Sequence, residues 1–254
     1  MNQTVVFITD FGLEDGYAAE LRASVWRVER TASCVDGSHL VPPGDVLTAA
    51  YLSKRLARAF GPGSVICTVV DPGVGGDRQA VAVECDGVFG VAPDTGLLSY
   101  MWLEARERSA VRLPSPASRS ATFHGRDVFA PLAAHLAAGR PIREVGEPID
   151  APRLRSELFP VAEGGRIRSL VVSVDHFGNC VTGIRRADLG GRRVAKLRSP
   201  EVQATRTVAT YSDIGSGLAV LWNSADHLEL AAQEDSAARR ARLRVGSPVE
   251  VELR

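Results

Sequence analysis

An aspartate and an arginine flank a glycine-rich turn that follows the most apolar run of the sequence. This run, Val65 to Val70, is rich in β-branched residues, as is typical of a strand buried on both faces of a parallel sheet. Asp71 ends it, and Arg78 precedes the next predicted strand, Gln79 to Cys85. Ligands bind at the carboxyl ends of strands in open α/β sheets, so Asp71 and Arg78 could face one another across a cleft from neighbouring strands. The alternative is a tight turn with an ion pair at the rim.

Further polar residues fall directly after strand-like segments or where a helix is about to begin. They are Asp10, Asp36, Asp71, Asp94 and His124. Carboxylates gathered at one sheet edge repel each other, so the set favours a polar ligand site over a purely structural role. Taken singly, each is a candidate helix cap or turn residue, and this interpretation is favoured for Asp94.

Composition excludes several classes of protein. The 254 residues carry 30 basic and 30 acidic side chains, with 45% hydrophobic residues, so no net charge attracts nucleic acid or an anionic membrane. The start of the chain lacks the features of a signal peptide, and a cytoplasmic protein without a membrane or nucleic-acid partner is expected. Four widely spaced cysteines are predicted to be reduced core thiols: Cys34, Cys67, Cys85 and Cys180.

Motifs for common cofactors and nucleophiles are missing. The sequence has no GxGxxG after a strand, no GxxxxGK[ST], no HEXXH and no GxSxG. Thr9-Asp10-Phe11-Gly12 matches the DFG of kinases, but the other kinase motifs are lacking. We therefore predict no metal, no cofactor and no covalent nucleophile.

Strands and helices alternate through the first half, which predicts a doubly wound α/β sheet. A hairpin of Ala80–Cys85 and Val88–Val91 follows the central strand. The other predicted elements are strands Val5–Ile8 and Ser33–Val35, helix Asp15–Arg30 capped by Asp15, helix Asp45–Phe60 capped by Asp45, and a helix that follows Thr122–Asp127 and ends near Gly139.

The second half of the sequence shows short strand-like runs instead of alternating strands and helices. We predict an α/β domain over residues 1–145, a proline- and glycine-rich linker over 146–165, and a small β-barrel-like domain over 166–254. Its predicted strands are Ile167–Val174, Cys180–Ile184, Val194–Leu197, Val202–Thr210, Leu218–Trp222, Leu228–Ala231 and Val249–Leu253.

Polar residues interrupt this strand-rich half at three places. Asp175 and Asn179 flank a glycine turn, where such residues usually cap their own backbone. The same pair would also suit an amino group and a heteroaromatic edge. Tyr211-Ser212 and Asn223-Ser224 are further candidate binding residues.

Long motifs spread over residues 5 to 232 together resemble the S-adenosyl-L-methionine hydroxide adenosyltransferases, which are related to the fluorinase and chlorinase. They are TDFG with DGY, DGSHLVPP, VDPGVG with GGDR, APDTGLLS, TFHGRDVFAP, VDHFGN, TYSD and WNS. The resemblance implies an N-terminal α/β domain, a C-terminal β-barrel-like domain and a homotrimer. It also implies a site between one subunit's N-terminal domain and its neighbour's C-terminal domain.

The resemblance further implies hydrolysis of S-adenosyl-L-methionine to adenosine and L-methionine. It assigns Asp71, Arg78 and His124 to the attacking water or hydroxide. It assigns the ribose hydroxyls to Asp10, the adenine edge to Asn179, and the methionine end to Asp175 with Ser224.

Differences from the halogenating relatives point to water instead of halide. Those relatives carry Tyr at the positions of Asp71 and His124, and the fluorinase has Ser where this chain has Gly125. A halogenating transferase and a non-catalytic S-adenosylmethionine- or adenosine-binding protein remain the alternatives. Departures from the family pattern at Gly44, Thr95 and Ala225-Asp226-His227 affect the expected adenine and methionine pockets, not the Asp-Arg-His set.

Overall fold

The computed structural model describes residues 4–113 and 122–254. The chain divides into two compact units, the first ending at Leu154 and the second beginning at Arg155. This division falls within the predicted linker, residues 146–165. In the part of the chain that is described, no helix combines the length and the apolar character needed to cross a bilayer.

Seven strands form the sheet of the first unit. They are β1 (Thr4–Thr9), β2 (Ser33–Ser38), β3 (Val65–Val69), β4 (Ala80–Cys85), β5 (Val88–Pro93), β6 (Arg108–Arg112) and β7 (Glu147–Ile149). Their spatial order is β2-β1-β3-β5-β4-β6-β7. The first four in this order run parallel, whereas β4, β6 and β7 pair antiparallel, so the sheet is mixed. The carboxyl ends of the parallel strands therefore share one edge.

Helices cover both faces of this sheet: α1 (Tyr17–Val28), α2 (Val46–Phe60), α3 (Ser99–Glu104) and α4 (Ala130–Ala137). Strand β1 is buried on both sides, since Phe7 packs in the cluster with α1 and α4 and Ile8 in the cluster with α2 and α3. Asp45 caps α2 as predicted, accepting from Thr48 N at 3.0 Å. The predicted cap of α1 is wrong, because Gly16 occupies that position and no side chain caps the helix.

The interpretation of Asp71 and Arg78 as residues of neighbouring strands needs correction. Strand β5 lies between β3 and β4, so the two strands are not adjacent. Because β4 runs antiparallel to β5, with Ala80 opposite Pro93, the start of β4 lies at the same edge as the end of β5. Arg78 thus reaches the carboxyl edge through the reversal of β4.

The second unit is an antiparallel, barrel-like sheet. Its strands are β8 (Val161–Glu163), β9 (Arg166–Val174), β10 (Cys180–Arg185), β11 (Val194–Arg198), β12 (Gln203–Ala204), β13 (Leu218–Trp222), β14 (His227–Ala232) and β15 (Pro248–Leu253), with one short helix, α5 (Ala237–Ala241). The order is β12-β11-β15-β9-β10-β14-β13, and β8 also pairs with β9. Val220 bonds to Val208 N and Arg206 O at 2.9 Å each, which links the chain after β12 to β13 and nearly closes the sheet.

Two segments differ from the sequence-based expectation. Of the predicted strand Val202–Thr210, only Gln203–Ala204 forms a strand, and Thr207 adds a single bridge to Val220. Within residues 146–165, β7 extends the first sheet and β8 extends the second, so the prolines there do not prevent short edge strands.

Candidate active site

Asp71 and Arg78 form a tight ion pair within the loop that joins β3 to β4. Arg78 Nε lies 3.1 and 2.9 Å from the two carboxylate oxygens of Asp71, and Nη2 also contacts Oδ2. The side chains are only 5% and 13% exposed, so solvent screens this pair less than an ordinary surface pair. Gly73 N donates to Asp71 Oδ1 at 3.2 Å. The carboxylate is thereby held in one orientation at the sheet edge.

His124 joins this pair from a different part of the chain. It directly precedes a π-helical turn, Gly125–Phe129, that leads into α4. Arg78 Nη2 lies 2.7 Å from His124 Nδ1. Because a guanidinium can only donate, Nδ1 accepts, and the neutral ring carries its proton on Nε2. Arg78 therefore connects the carboxylate to the imidazole.

The imidazole of His124 is held neutral. Burial and the positive charge of Arg78 lower its pKa, against the opposing effect of Asp71 and Asp127. The guanidinium also lies over the ring of Phe129, with 5.4 Å from its carbon to the ring centroid. Within residues 4–113 and 122–254, the polar side chains that contact the Arg78 guanidinium are Asp71 and His124, and the apolar ring covers another side of it.

We expect the His124 ring to titrate below 6.5, the ordinary value for histidine. Since Arg78 lowers the pKa, Arg78→Gln should move the midpoint upward, towards that value. NMR titration of the ring protons in both proteins measures this. His135, whose pKa is lowered by burial and by Arg140, is the internal control and should keep its midpoint. An unchanged His124 midpoint in the Gln variant would contradict the contact with Arg78.

Aromatic rings pack beside this set. Phe11, Tyr17 and Phe123 meet edge to face, with centroids 5.2 to 6.1 Å apart. A Cβ atom added to Gly125 would lie 3.0 Å from Phe11 Cζ and 3.3 Å from Leu21 Cδ2. The π-helical turn after His124 therefore rests directly on Phe11, and only glycine fits there without displacing the ring.

Asp10 and Asp94 lie at the same edge but in different surroundings. Asp10 Oδ2 accepts from Gly44 N at 2.9 Å, and Oδ1 has no hydrogen-bond partner among the described residues. Asp94 Oδ1 accepts from Arg153 N at 2.7 Å, and burial raises its pKa. Asp94 thus accepts a hydrogen bond from the backbone, in line with the turn interpretation. Asp10 has one carboxylate oxygen that is available to a ligand.

In the second unit, Asp175 and Asn179 share the turn between β9 and β10. Asp175 Oδ1 accepts from Phe177 N and Asn179 N at 3.0 and 2.8 Å, and Oδ2 accepts from Asn179 Nδ2 at 3.0 Å. The pair therefore caps its own backbone, as the structural interpretation predicts. The turn also opens onto a cleft of about 630 Å³ lined by Asp175, Asn179, Tyr211 and Ser212 together with residues 232–236 and Arg239.

A buried carboxylate that the sequence analysis missed joins two of the predicted binding residues. Glu229 is 2% exposed, accepts from Tyr211 Oη at 2.7 Å and from Asn223 Nδ2 at 3.2 Å. Its signal in the sequence is one acidic residue inside an apolar strand. Ser224 is exposed in the turn beside Asn223 and does not line the cleft. The structure thus brings Asp175, Asn179, Tyr211 and Ser212 together and ties Asn223 to them.

Across residues 4–113 and 122–254, no group of three or more His, Cys, Asp and Glu side chains is arranged to hold a metal ion.

Both units of the chain resemble domains of known proteins. The model of the SAM hydroxide adenosyltransferase N-terminal domain matches residues 5–146, and that of the C-terminal domain matches residues 169–250. An (R)-S-adenosyl-L-methionine hydrolase from Thermus thermophilus is 36% identical over 97% of this chain and 98% of its own. One from Salinispora arenicola is 43% identical over 69% of each chain. Fluorinases also match, at 27 to 29% identity.

A solved structure of an uncharacterized conserved protein from Thermotoga maritima is similar over nearly the whole length. It is 30% identical, covers 97% of this chain and 99% of its own, and superposes with a TM-score of 0.86. Both units thus match as units of the same family. The chain belongs to the SAM hydroxide adenosyltransferase family.

Proposed function

We propose that this protein hydrolyses S-adenosyl-L-methionine to adenosine and L-methionine, and that Asp71, Arg78 and His124 hold the attacking oxygen. The observation that carries the proposal is the position of Arg78, which donates to the carboxylate and to the imidazole at once. The reactive groups in reach of a substrate are thus an acceptor, a fixed cation and an Nε2–H donor. This set suits an oxygen nucleophile with negative charge.

The substrate chemistry needs little more. A sulfonium is already a good leaving group, so attack at the ribose C5′ requires no acid on sulfur. In the proposed step the water oxygen bonds to C5′, the C5′–S bond breaks, and its electron pair stays on sulfur as methionine. The remaining proton of the water is released to solvent. Arg78 favours hydroxide over water, while Asp71 and His124 orient it in line with the C–S bond.

The neutral state of His124 determines the role of its ring in the proposed reaction. With Nδ1 occupied by the Arg78 donor, the ring offers its Nε2–H to the nucleophile's oxygen. His124 then orients the nucleophile instead of taking its proton. Asp71 supplies the complementary acceptor for the O–H bond of the hydroxide.

Binding of the substrate is proposed to use both units. Asp10 would take the ribose hydroxyls with Oδ1, and Asn179 the adenine edge. Asp175 and Ser224 would take the methionine end. Tyr211 and Ser212 line the cleft, Glu229 holds Tyr211 and Asn223 through hydrogen bonds, and Asp94 supports the edge of the sheet.

We also propose a homotrimer in which the half-sites come from different subunits. Large apolar side chains are exposed around both half-sites: Leu13 (64%) and Leu40 (67%) in the first unit, and Phe177 (75%) in the second. Exposed apolar groups of this size around a site support coverage by another chain.

A cytoplasmic location completes the proposal. The four cysteines are unpaired, and burial raises the pKa of Cys34 to about 11 and of Cys85 and Cys180 to about 12. Such thiols stay protonated and suit a reducing compartment. Fractionation of the producing cells checks this.

One incubation tests the function. Purified protein is incubated with S-adenosyl-L-methionine, and products are separated by chromatography, with Asp71→Asn protein as the control. We expect adenosine and methionine in equal amounts from the parent and at background from the control. Adenosine at background with ligand still bound would favour the binding protein. A 5′-halo product formed faster than adenosine in high halide would favour the halogenating transferase.

Gly125→Ser is expected to damage the protein without creating a halide site. The added Cβ would lie 3.0 Å from the ring of Phe11, so the ring or the π-helical turn must shift. Over-packing of this kind costs about 1 to 3 kcal/mol. Denaturant unfolding should show this loss, and product analysis in high chloride should show no 5′-chloro product. A variant as stable as the parent, or a chlorinated product, would contradict the packing argument.

A further inference from the structure

A second chain of polar contacts, which runs from buried Thr9 through buried His39 to exposed Asp36, lies at the same sheet edge as Asp10. Thr9 Oγ1 is 2.8 Å from His39 Nδ1, and His39 Nε2 is 3.2 Å from Asp36 Oδ1. Thr9 is fully buried and His39 is 2% exposed. Buried polar groups need partners within the fold, so Thr9 and His39 hold one another in place, and Asp36, whose side chain is 42% exposed, contacts Nε2 from the surface.

The Asp36 end of this chain sets the direction of the hydrogen bond between Thr9 and His39. Phe11 N, which can only donate, lies 3.2 Å from Thr9 Oγ1. A hydroxyl oxygen has two acceptor lone pairs, so this contact permits either direction for the bond between Thr9 and His39, and the Asp36 end decides it. The carboxylate of Asp36, 3.2 Å from Nε2, can only accept, so the ring proton lies on Nε2 and Nδ1 accepts from the Thr9 hydroxyl. Burial disfavours the charged form of Asp36, but the contacts with His39 and Arg22 outweigh it and hold its pKa below the ordinary value.

Backbone bonds attach the same segment to the strand end that carries Asp10. Gly12 N donates to His39 O at 2.8 Å, and Val41 N donates to Thr9 O at 3.3 Å. Three residues further on, Gly44 N donates to Asp10 Oδ2. Residues 39–44, which we call the strap, thus run along residues 9–12 and contact the Asp10 carboxylate directly.

The strand before the strap is shaped to deliver His39. The register between β1 and β2 shifts after Phe7, where Asp36 is the partner of Phe7 and Ser38 is the partner of Ile8. Gly37 is the skipped residue, and a Cβ there would lie 3.0 Å from Phe7 O. Bulges of this type re-aim the side chains that follow them. The bulge at Gly37 therefore helps to place the His39 side chain against the Thr9 hydroxyl.

We propose that His39 is a positioning residue, which holds the Asp10 carboxylate in its binding orientation through Nδ1 and the Thr9 hydroxyl. The expected effect on catalysis rests on the proposed function, in which Asp10 binds the ribose. A group that binds the ribose equally in ground state and transition state changes KM and leaves kcat nearly constant. Loosening Asp10 should therefore act on KM.

Three substitutions separate the two ring nitrogens. His39→Asn keeps a polar group near the place of Nδ1, His39→Gln keeps one near Nε2, and His39→Leu keeps neither. We expect Leu and Gln to raise KM for S-adenosyl-L-methionine about tenfold, a loss of about 1.4 kcal/mol of binding. His39→Asn should keep KM close to the value of the parent. In all three variants kcat should stay within about threefold of the parent. His135→Asn and His135→Leu, on α4 and outside this network, are the matched controls.

A second pair of variants covers the case in which the His39 variants do not fold. Thr9→Val removes the hydroxyl from the other end of the contact with little change of shape, and Thr9→Ser keeps it. Val should raise KM as His39→Leu does, and Ser should not. Equal KM values for Val and Ser, or a His39→Asn protein as impaired as His39→Leu, would overturn the proposal.

Hydrogen exchange supplies a readout that needs no activity. The amides of Gly12 and Gly44 should exchange faster in the Leu and Gln variants than in the Asn variant and the parent. If the parent forms no adenosine, the proposed function fails, and this exchange pattern alone still decides the positioning role of His39. Exchange that is the same in all variants would refute it.

Discussion

Replacement of Arg78 by lysine is expected to lower kcat for adenosine formation by about 10²-fold or more, because Arg78 is proposed to stabilise charge on the nucleophile. In the structure one guanidinium donates through Nε to Asp71 and through Nη2 to both Asp71 and His124. A lysine keeps the charge but has a single nitrogen and no planar fork, so it cannot hold both partners in this geometry. Steady-state kinetics gives kcat, and calorimetry with adenosine shows that the variant still binds.

A matched substitution separates this loss from general damage. Arg106→Lys makes the same change at an exposed arginine outside the site and should leave kcat unchanged. His124→Ala should be slow as well, since it removes the other partner of Arg78. If Arg78→Lys and His124→Ala both turn over like the parent, a different set of residues holds the nucleophile.

Two inactive variants mixed under conditions that exchange subunits are expected to recover activity. Asp71→Ala destroys the half-site of the first unit, and Asn179→Ala destroys that of the second. If half-sites from different subunits combine in a trimer, an equimolar mixture regenerates about one quarter of the sites with both halves intact. Activity is measured before and after exchange, against each variant mixed with itself.

A site built within a single chain predicts that the mixture stays inactive. Where each chain combines its own two half-sites, every site in the mixture carries one lesion and activity stays at the level of the separate variants. Size-exclusion chromatography with light scattering gives the mass of the assembly. Mass spectrometry of an isotope-labelled partner confirms that subunits have exchanged. A dead mixture of fully exchanged trimers would refute the shared site.

The polar residues at the sheet edge were predictable because strand ends are marked by local signals. β-branched runs that stop at Asp, Pro and Gly identify the ends of β1 and β3, so Asp10 and Asp71 were placed at the edge. The pairing order was not predictable, because the insertion of β5 between β3 and β4 depends on tertiary contacts between distant segments. The sequence places Arg78 at the correct edge of the sheet but on a strand wrongly expected to neighbour β3.

The misses in the second unit have a common physical cause. A strand is defined by its partners, and the segment after Ala204 finds only a single bridge to β13, so its β-branched residues do not extend β12. Glu229 is not recognisable from the sequence, because one acid in a strand is normally a solvent-facing residue. Only the fold shows that it is buried and takes the donors of Tyr211 and Asn223. Three-dimensional neighbours, not local spacing, decide such roles.

The reversal of β4 has a mechanical consequence. It places Asp71 and Arg78 at the two ends of one short loop, whose intervening residues 72–77 are all exposed. A displacement of that loop carries the acid and the guanidinium together as one body and preserves their mutual geometry. His124 belongs to a separate turn 46 residues later, so the same displacement changes the distance between its imidazole and the ion pair. A molecule that displaces this loop would therefore break the contact between Arg78 and His124 while the ion pair between Asp71 and Arg78 stays intact.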